Sequence, residues 1–313
     1  MTAAEMDVYR YGEERIPRVT DATVTIGTFD GVHLGHHHLL EEVLNGPHPT
    51  VVTFDPHPRH VLSTGPNRLQ ILTPTEEKLR KLAKLGIERA IIIPFNKEIA
   101  GLSAEAFLRE ILVNTVGMKR LVVGFNHSFG RNREGNIDFM KSRAADYGYE
   151  LRVISAHEAD ALAVSSTRIR MSLETGKLKD ANRFLGEYYR THARVIEGEG
   201  RGRDLGYPTA NLAFIDEDQL QPGEGVYAVR LRTDDGVWFD GVASIGRKET
   251  FGDHYGITVE VHVFDHELDL YGQTIWVEWI EYLRGQEAFD SAEALIKQMD
   301  EDSMRAREIL VKK

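Results

Sequence analysis

Two hydrophobic periodicities divide this chain, and no single core accommodates both. From about residue 22 to 185, short apolar runs alternate with helical patterns. Ala22–Gly27, Thr50–Phe54, Ala90–Phe95, Arg120–Phe125 and Leu151–Ser155 are rich in Val, Ile and Leu with little alternation, as strands buried on both faces are. Between them, Gly35–Leu44 stops at Asn45-Gly46-Pro47, and Thr75–Leu85 is closed by Gly86. Ser103–Val116 has a capping serine, Glu105 in its first turn and Gly117 at its end. This alternation predicts a parallel sheet with helices on both faces and ligands outside the carboxyl ends of its strands. After about residue 187, His192–Glu197, Val226–Arg232, Trp238–Ile245, Ile257–Phe264 and Ile275–Tyr282 follow one another across Gly- or Asp-rich turns. No helical pattern returns before Ser291–Lys312, which predicts a small antiparallel barrel with a C-terminal helix. The fold class expected is α/β plus all-β, with one domain over 1–186 and a second over 187–313.

Charge and cysteine content exclude several classes of function. The net charge of −11 is spread along the chain, which argues against nucleic acid or an anionic membrane as a partner. A phosphate-bearing ligand would need a local site of backbone amides, a few Arg or His, and a metal. The absence of cysteine removes disulfides, thiolate zinc sites and cysteine nucleophiles. No apolar leader and no run of about 18 apolar residues is present, so a cytoplasmic protein is expected.

The first half carries Thr25-Ile26-Gly27-Thr28-Phe29-Asp30-Gly31-Val32-His33-Leu34-Gly35-His36 at a strand exit and helix entry. Gly27 and Gly31 let backbone approach a ligand, and His33 and His36, three apart, share a helix face. Two imidazoles beside a helix N-terminus suit an anion whose charge grows in a transition state. A metal cluster of His33, His36, His37 and His38 is the alternative, and a structural pair is another. Val164-Ser165-Ser166-Thr167-Arg168-Ile169-Arg170 opens a helix that stops at Thr175-Gly176. Its hydroxyls and arginines can hold phosphates, although Ser-Ser-Thr alone is an ordinary cap.

The second half contains Gly198–Asn211, with glycines at 200, 202 and 206 and arginines at 201 and 203. Such a loop can close on phosphate oxygens, but it is not a Walker loop, and a plain hairpin would look similar. Thr209 and Asn211, at alternate strand positions, offer a hydroxyl and a carbonyl oxygen on one face to Mg²⁺. In Ile257–Val263 the odd positions are apolar, so Glu260 and His262 face away from the core. Glu260 there is either a solvated strand residue or the acceptor of a hydroxyl proton.

With these segments in view, the chain resembles the bacterial bifunctional riboflavin kinase/FAD synthetase family. The likeness is carried by Gly27–His36, Thr53–Pro58, Val122–Gly130, Val164–Arg170, Gly200–Asn211, Gly225–Tyr227, Glu260, Asp269–Gly272, Leu283–Arg284 and Phe289–Ser291. It implies a Rossmann-like nucleotidyltransferase domain followed by a kinase barrel. One would adenylylate FMN to FAD with release of pyrophosphate, and the other would phosphorylate riboflavin to FMN. The resemblance implies that His33 and His36 stabilise the transferring phosphate. It places Gly27, Phe29, Asn126, Ser166, Thr167 and Arg170 around ATP, and Phe54, Asp55 and Phe129 near the flavin. In the kinase half it implies Gly200, Arg201, Gly202 and Arg203 around ATP, Thr209 and Asn211 on Mg²⁺-ATP, Glu260 as base and Arg284 near flavin or phosphate. Two departures stand out: Glu249 where members usually have Pro, and Gln286 where Glu is common. A nucleotidyltransferase for another acceptor and a flavin sensor without turnover are the rival functions. Riboflavin, FMN and ATP are the expected small-molecule partners; oligomeric state is left open.

Overall fold

The computed structural model describes residues 6–63, 65, 68–155, 164–197, 206–250, 254–266 and 270–311. It divides into two compact units, Met1–Ser166 and Thr167–Lys313. The division falls before two helices that the change of periodicity assigned to the first half.

The first unit is a six-stranded parallel sheet in the order β1-β4-β3-β2-β5-β6. Its strands are β1 (Asp7–Arg10), β2 (Ala22–Ile26), β3 (Thr50–Asp55), β4 (Arg89–Pro94), β5 (Met118–Gly124) and β6 (Glu150–Ile154). Every residue of β2 is buried, Thr23 and Thr25 included, as a central strand covered on both faces requires. Helices α1 (Leu34–Leu44), α2 (Pro58–Leu62), α3 (Thr75–Leu85), α4 (Lys97–Gly101), α5 (Ala104–Ala106) and α6 (Ile137–Tyr147) connect the strands. The expected helix after Ser103 is capped by the serine hydroxyl, which accepts from the Ala106 amide at 3.1 Å. It then widens into a π-helix (Phe107–Val116) that Gly117 ends in a left-handed conformation. A side chain at 117 would meet Val19 O at 1.7 Å, so only glycine fits there. From β2 the chain builds outward through β3 and β4, then returns to the other side of β2 for β5 and β6. The strand order thus reverses between β2 and β5, and a crevice opens beyond their carboxyl ends.

The second unit takes up all but the first residue of α7 (Ser166–Glu174), continues through α8 (Leu178–Leu185) and closes six antiparallel strands into a barrel ordered β10-β11-β8-β7-β12-β9. These are β7 (Tyr189–Ile196), β8 (Ala210–Phe214), β9 (Gly225–Thr233), β10 (Trp238–Thr250), β11 (His254–Val263) and β12 (Thr274–Arg284). Trp279 fills the interior, edge-on to Tyr227, and its indole N–H donates to Thr191 Oγ1 at 3.0 Å. A register shift after Trp279 leaves Ile280 as a bulge. Both residues are buried, and Ile280 joins Phe264, Ala306 and Leu310 in a cluster beneath α9 (Ala292–Val311).

Candidate active sites

At the exit of β2 the predicted loop and helix bring His33 and His36 together. His33 caps α1 with extended backbone, and His36 lies in the first turn. Their rings stack at 3.7 Å and 14°, and His36 lies 5.2 Å from the Phe29 ring. Burial, reinforced by His33 and His37, holds the His36 imidazole well below its ordinary value, so it is neutral near pH 7. Its Nδ1 is buried with no hydrogen-bond partner among the described residues. The other histidines of the tract turn elsewhere: His37 Nε2 sits 3.1 Å from Val32 O, and His38 pairs with exposed Glu41 at 3.6 Å. Ser166 joins the same loop, its hydroxyl donating to Asp30 O at 2.8 Å. Thr167 is exposed and Arg170 buried. Arg168 lies over the Phe184 ring at 4.6 Å.

Across the crevice, the turn after β5 presents Asn126 in the wall of a cavity of about 370 Å³. Phe125, His127, Ser128 and Arg133 share that wall, and Arg133 Nε donates to Ser128 Oγ at 2.8 Å. Burial and the Arg133 charge push the His127 imidazole down to about 4. Phe129, expected near a flavin, packs against Phe107 and Phe139 in the core. The exposed aromatic of this segment is Phe125, 49 % exposed, which the sequence reading passed over. Phe54 spans Phe95 and Phe107, and Asp55 pairs with Arg10 at 3.5 Å.

In the barrel, Glu260 of β11 stands directly beside Asn211 of β8, and Thr209 Oγ1 lies 3.4 Å from its Oε2. The three side chains converge, with Glu260 turned away from the core as the alternation of apolar residues in β11 predicts. Hydroxyl, amide carbonyl and carboxylate oxygens form a hard donor set that fits Mg²⁺. On the other side of Glu260 its register partner is Ser244, whose Oγ accepts from Gln286 Nε2 at 2.9 Å. The same amide donates to Ile245 O at 2.8 Å, a contact that an ionised glutamate could not make. Two residues along β11, His262 Nδ1 sits 2.9 Å from Pro208 O and faces Tyr207 edge-on at 5.0 Å. They border a cavity of about 600 Å³ reaching Phe264 and Met304. Arg284 is locked to Asp302 of α9 by bonds of 2.7 to 3.0 Å and lies against Phe289. Gly200, Arg201, Gly202, Arg203 and the Glu249 side chain lie outside the described residues.

Comparison with known proteins bears directly on both sites. The family model described as FAD synthetase matches residues 16–168, and that described as riboflavin kinase matches residues 185–310. A bifunctional riboflavin kinase/FMN adenylyltransferase of Listeria monocytogenes is 36 % identical over 92 % of each chain. The Haemophilus influenzae protein of the same name is 34 % identical over 91 % of this chain and 92 % of its own, and that of Escherichia coli K12 35 % over 91 % of each. A solved structure titled a macrolide-efflux protein from Streptococcus pneumoniae superposes with a TM-score of 0.82 at 30 % identity, covering 93 % of this chain and 95 % of that one. Among the described residues no helix is long and apolar enough to cross a membrane. The chain belongs to the bifunctional riboflavin kinase/FMN adenylyltransferase family, and it converts riboflavin to FMN and FMN to FAD, using ATP in both steps.

Proposed function

We propose that Glu260 is the general base of the kinase reaction and that His33 and His36 stabilise the transition state of adenylyl transfer. The observation that carries the first assignment is the convergence of Thr209, Asn211 and Glu260 on one face of adjacent strands. Glu260 accepts the proton of the riboflavin 5′-hydroxyl as its oxygen bonds to the γ-phosphorus of ATP and the bond to ADP breaks. Thr209 and Asn211 would hold Mg²⁺, which neutralises phosphate charge when bound. The cavity behind Tyr207 and His262 accepts the adenosine, its aromatic walls matching a flat base.

In the N-terminal half, an FMN phosphate oxygen attacks the α-phosphorus of a second ATP and pyrophosphate leaves. The nucleophile is already ionised near neutral pH, so no base is required. His36, neutral in its buried setting, acts as a hydrogen-bond donor whose proton is drawn toward the growing phosphate charge. Gly27, Phe29, Ser166, Thr167 and Arg170 are assigned to the ATP phosphates, Asn126 to the substrate phosphates, and Phe54, Asp55 and Phe129 to the flavin neighbourhood. Arg284 is assigned an indirect part, holding the segment before Phe289 through Asp302. Residues 1–186 and 187–313 are taken as the working halves of a cytoplasmic protein, and the acidic, evenly spread charge argues against nucleic acid or an anionic membrane as a partner.

The test is chromatographic separation of flavins after incubation with riboflavin, ATP and Mg²⁺. A Glu260 variant should lose FMN formation yet still convert supplied FMN to FAD. A His36 variant should accumulate FMN and stop there. Joint loss of both activities in a folded variant contradicts separate sites.

A further inference from the structure

The loop between β2 and α1 is bent against its own preferences. Phe29 and Val32 have φ angles of 49° and 45°, a left-handed conformation that costs a residue with a side chain about 1–2 kcal/mol. Such geometry persists only where its surroundings over-determine it, and here the restraint comes from α3. Lys78 Nζ donates to Thr28 O at 3.3 Å, Thr53 Oγ1 at 3.1 Å and Phe54 O at 3.2 Å, so all three of its protons have acceptors. One turn along, Lys81 Nζ reaches Gly31 O at 3.4 Å. Asp30 Oδ1 accepts from the Leu72 and Thr73 amides at 2.8 and 3.1 Å, and Ser166 binds Asp30 O.

The carbonyls of Thr28, Asp30 and Gly31 are thus held by donors inside the protein. In a planar trans peptide the next N–H points the opposite way, so the amides of Phe29 and Gly31 face away from those donors. Lys78 and Lys81 are only 5 % and 9 % exposed. Burying ammonium groups is unfavourable where a Leu or Met would fill the space, so their charge has a task other than packing.

We propose that Lys78, supported by Lys81, is a positioning residue for adenylyl transfer: its ammonium group holds the Thr28–Val32 loop in the shape that sets His33, His36 and the loop amides around the nucleotide phosphate. The proposal rests on the assignment of this loop to adenylyl transfer. The charged groups facing Lys78 are Asp30 from the loop, Asp55 from the end of β3 (itself 3.5 Å from Arg10 of β1) and Lys81 on its own helix. Burial pushes the Lys78 amine down to about 8 against the pull of the two aspartates. Loss of its proton removes one donor and the charge, so FAD formation falls as pH rises through that value.

The chain has no cysteine, so Lys78→Cys can be alkylated at a single site with 2-bromoethylamine in the unfolded state and refolded. FMN formation by the kinase half reports recovery of the fold. Lys78→Cys should form FMN normally and lose kcat for FAD formation by about 10²-fold, the cost of an ångström-scale misplacement. Aminoethylation should restore most of it. Because the thioether makes the new amine less basic than lysine, the alkaline limb of FAD formation should move to lower pH. Undiminished FAD formation in Lys78→Cys, or restored activity with an unmoved alkaline limb, overturns the proposal. If Lys78→Cys loses both activities, the alkylated protein and its pH profile decide by the same criteria. His36→Ala measured alongside separates the two layers: if it leaves FAD formation intact, the assignment of the loop fails. If it abolishes FAD formation while Lys78→Cys does not, only the positioning role fails.

Discussion

Replacing Glu260 with Gln isolates the base of the kinase reaction. The side chain keeps its volume on a half-buried strand face, with Thr209 Oγ1 3.4 Å from the carboxylate. The change should therefore alter stability by no more than about 0.5 kcal/mol, as surface substitutions do. The amide accepts no proton, so the riboflavin hydroxyl must be deprotonated by water. A positioned base is worth about 10²–10⁴ in rate, and kcat for FMN formation should fall by that factor, or roughly 3–5 kcal/mol of barrier. KM for ATP should change little, because Thr209 and Asn211 are untouched. Glu260→Asp retracts the carboxylate by about 1.5 Å, one carbon–carbon bond, and should recover part of the rate. Flavins separated by chromatography give both rates from one sample, and FAD formation from supplied FMN serves as the control. FMN formation within threefold of the wild type in Glu260→Gln would refute the role of the carboxylate.

His36→Ala should lower FAD formation by about 10²–10³-fold, the cost of one transition-state donor, while FMN accumulates; pyrophosphate release measures it. Asp302→Ala strands the half-buried Arg284 guanidinium and should destabilise the barrel by about 3–5 kcal/mol, read by denaturant unfolding of the second unit. His127, at about 4 in the fold against the ordinary 6.5, takes up a proton in the unfolded chain first. Stability is therefore undisturbed above pH 6.5 and falls between 6.5 and about 4, by at most about 3 kcal/mol. Thermal melts across that window should show the loss in the wild type and a flatter profile in His127→Phe.

Elements whose ends carry stereochemical signals were legible. Thr75–Leu85 with Gly86, and the Ser103 cap with Gly117, stand where the residues put them. That the Ser103 helix runs on as a π-helix was not legible, because the same caps and apolar residues serve either winding. Edge strand β1 escaped notice because Asp7–Arg10 is largely exposed and carries charge at both ends. Helix α6 could have been found: Asn136 caps it, accepting from the Phe139 amide, and Gly148 ends it. Strand alternation put Thr209 with Asn211 and turned Glu260 away from the core, but only the pairing of β8 with β11 brings the three together. Lys78 and Lys81 were not legible, because lysines three apart on a helix ordinarily mark its wet face. Only the fold reveals that this face lies against the strained loop. Gln286 stands where a Glu is common, and its amide donates to Ile245 O, where a carboxylate would be repelled.

Closure of the barrel has a consequence for synthesis on the ribosome. The parallel sheet is complete once Ile154 has emerged, but β7 and β9 both wait for β12, which begins at Thr274. A growing chain thus owns its FAD-forming half well before its FMN-forming half. Until the last strand arrives, two open strand edges need shielding from neighbouring nascent chains.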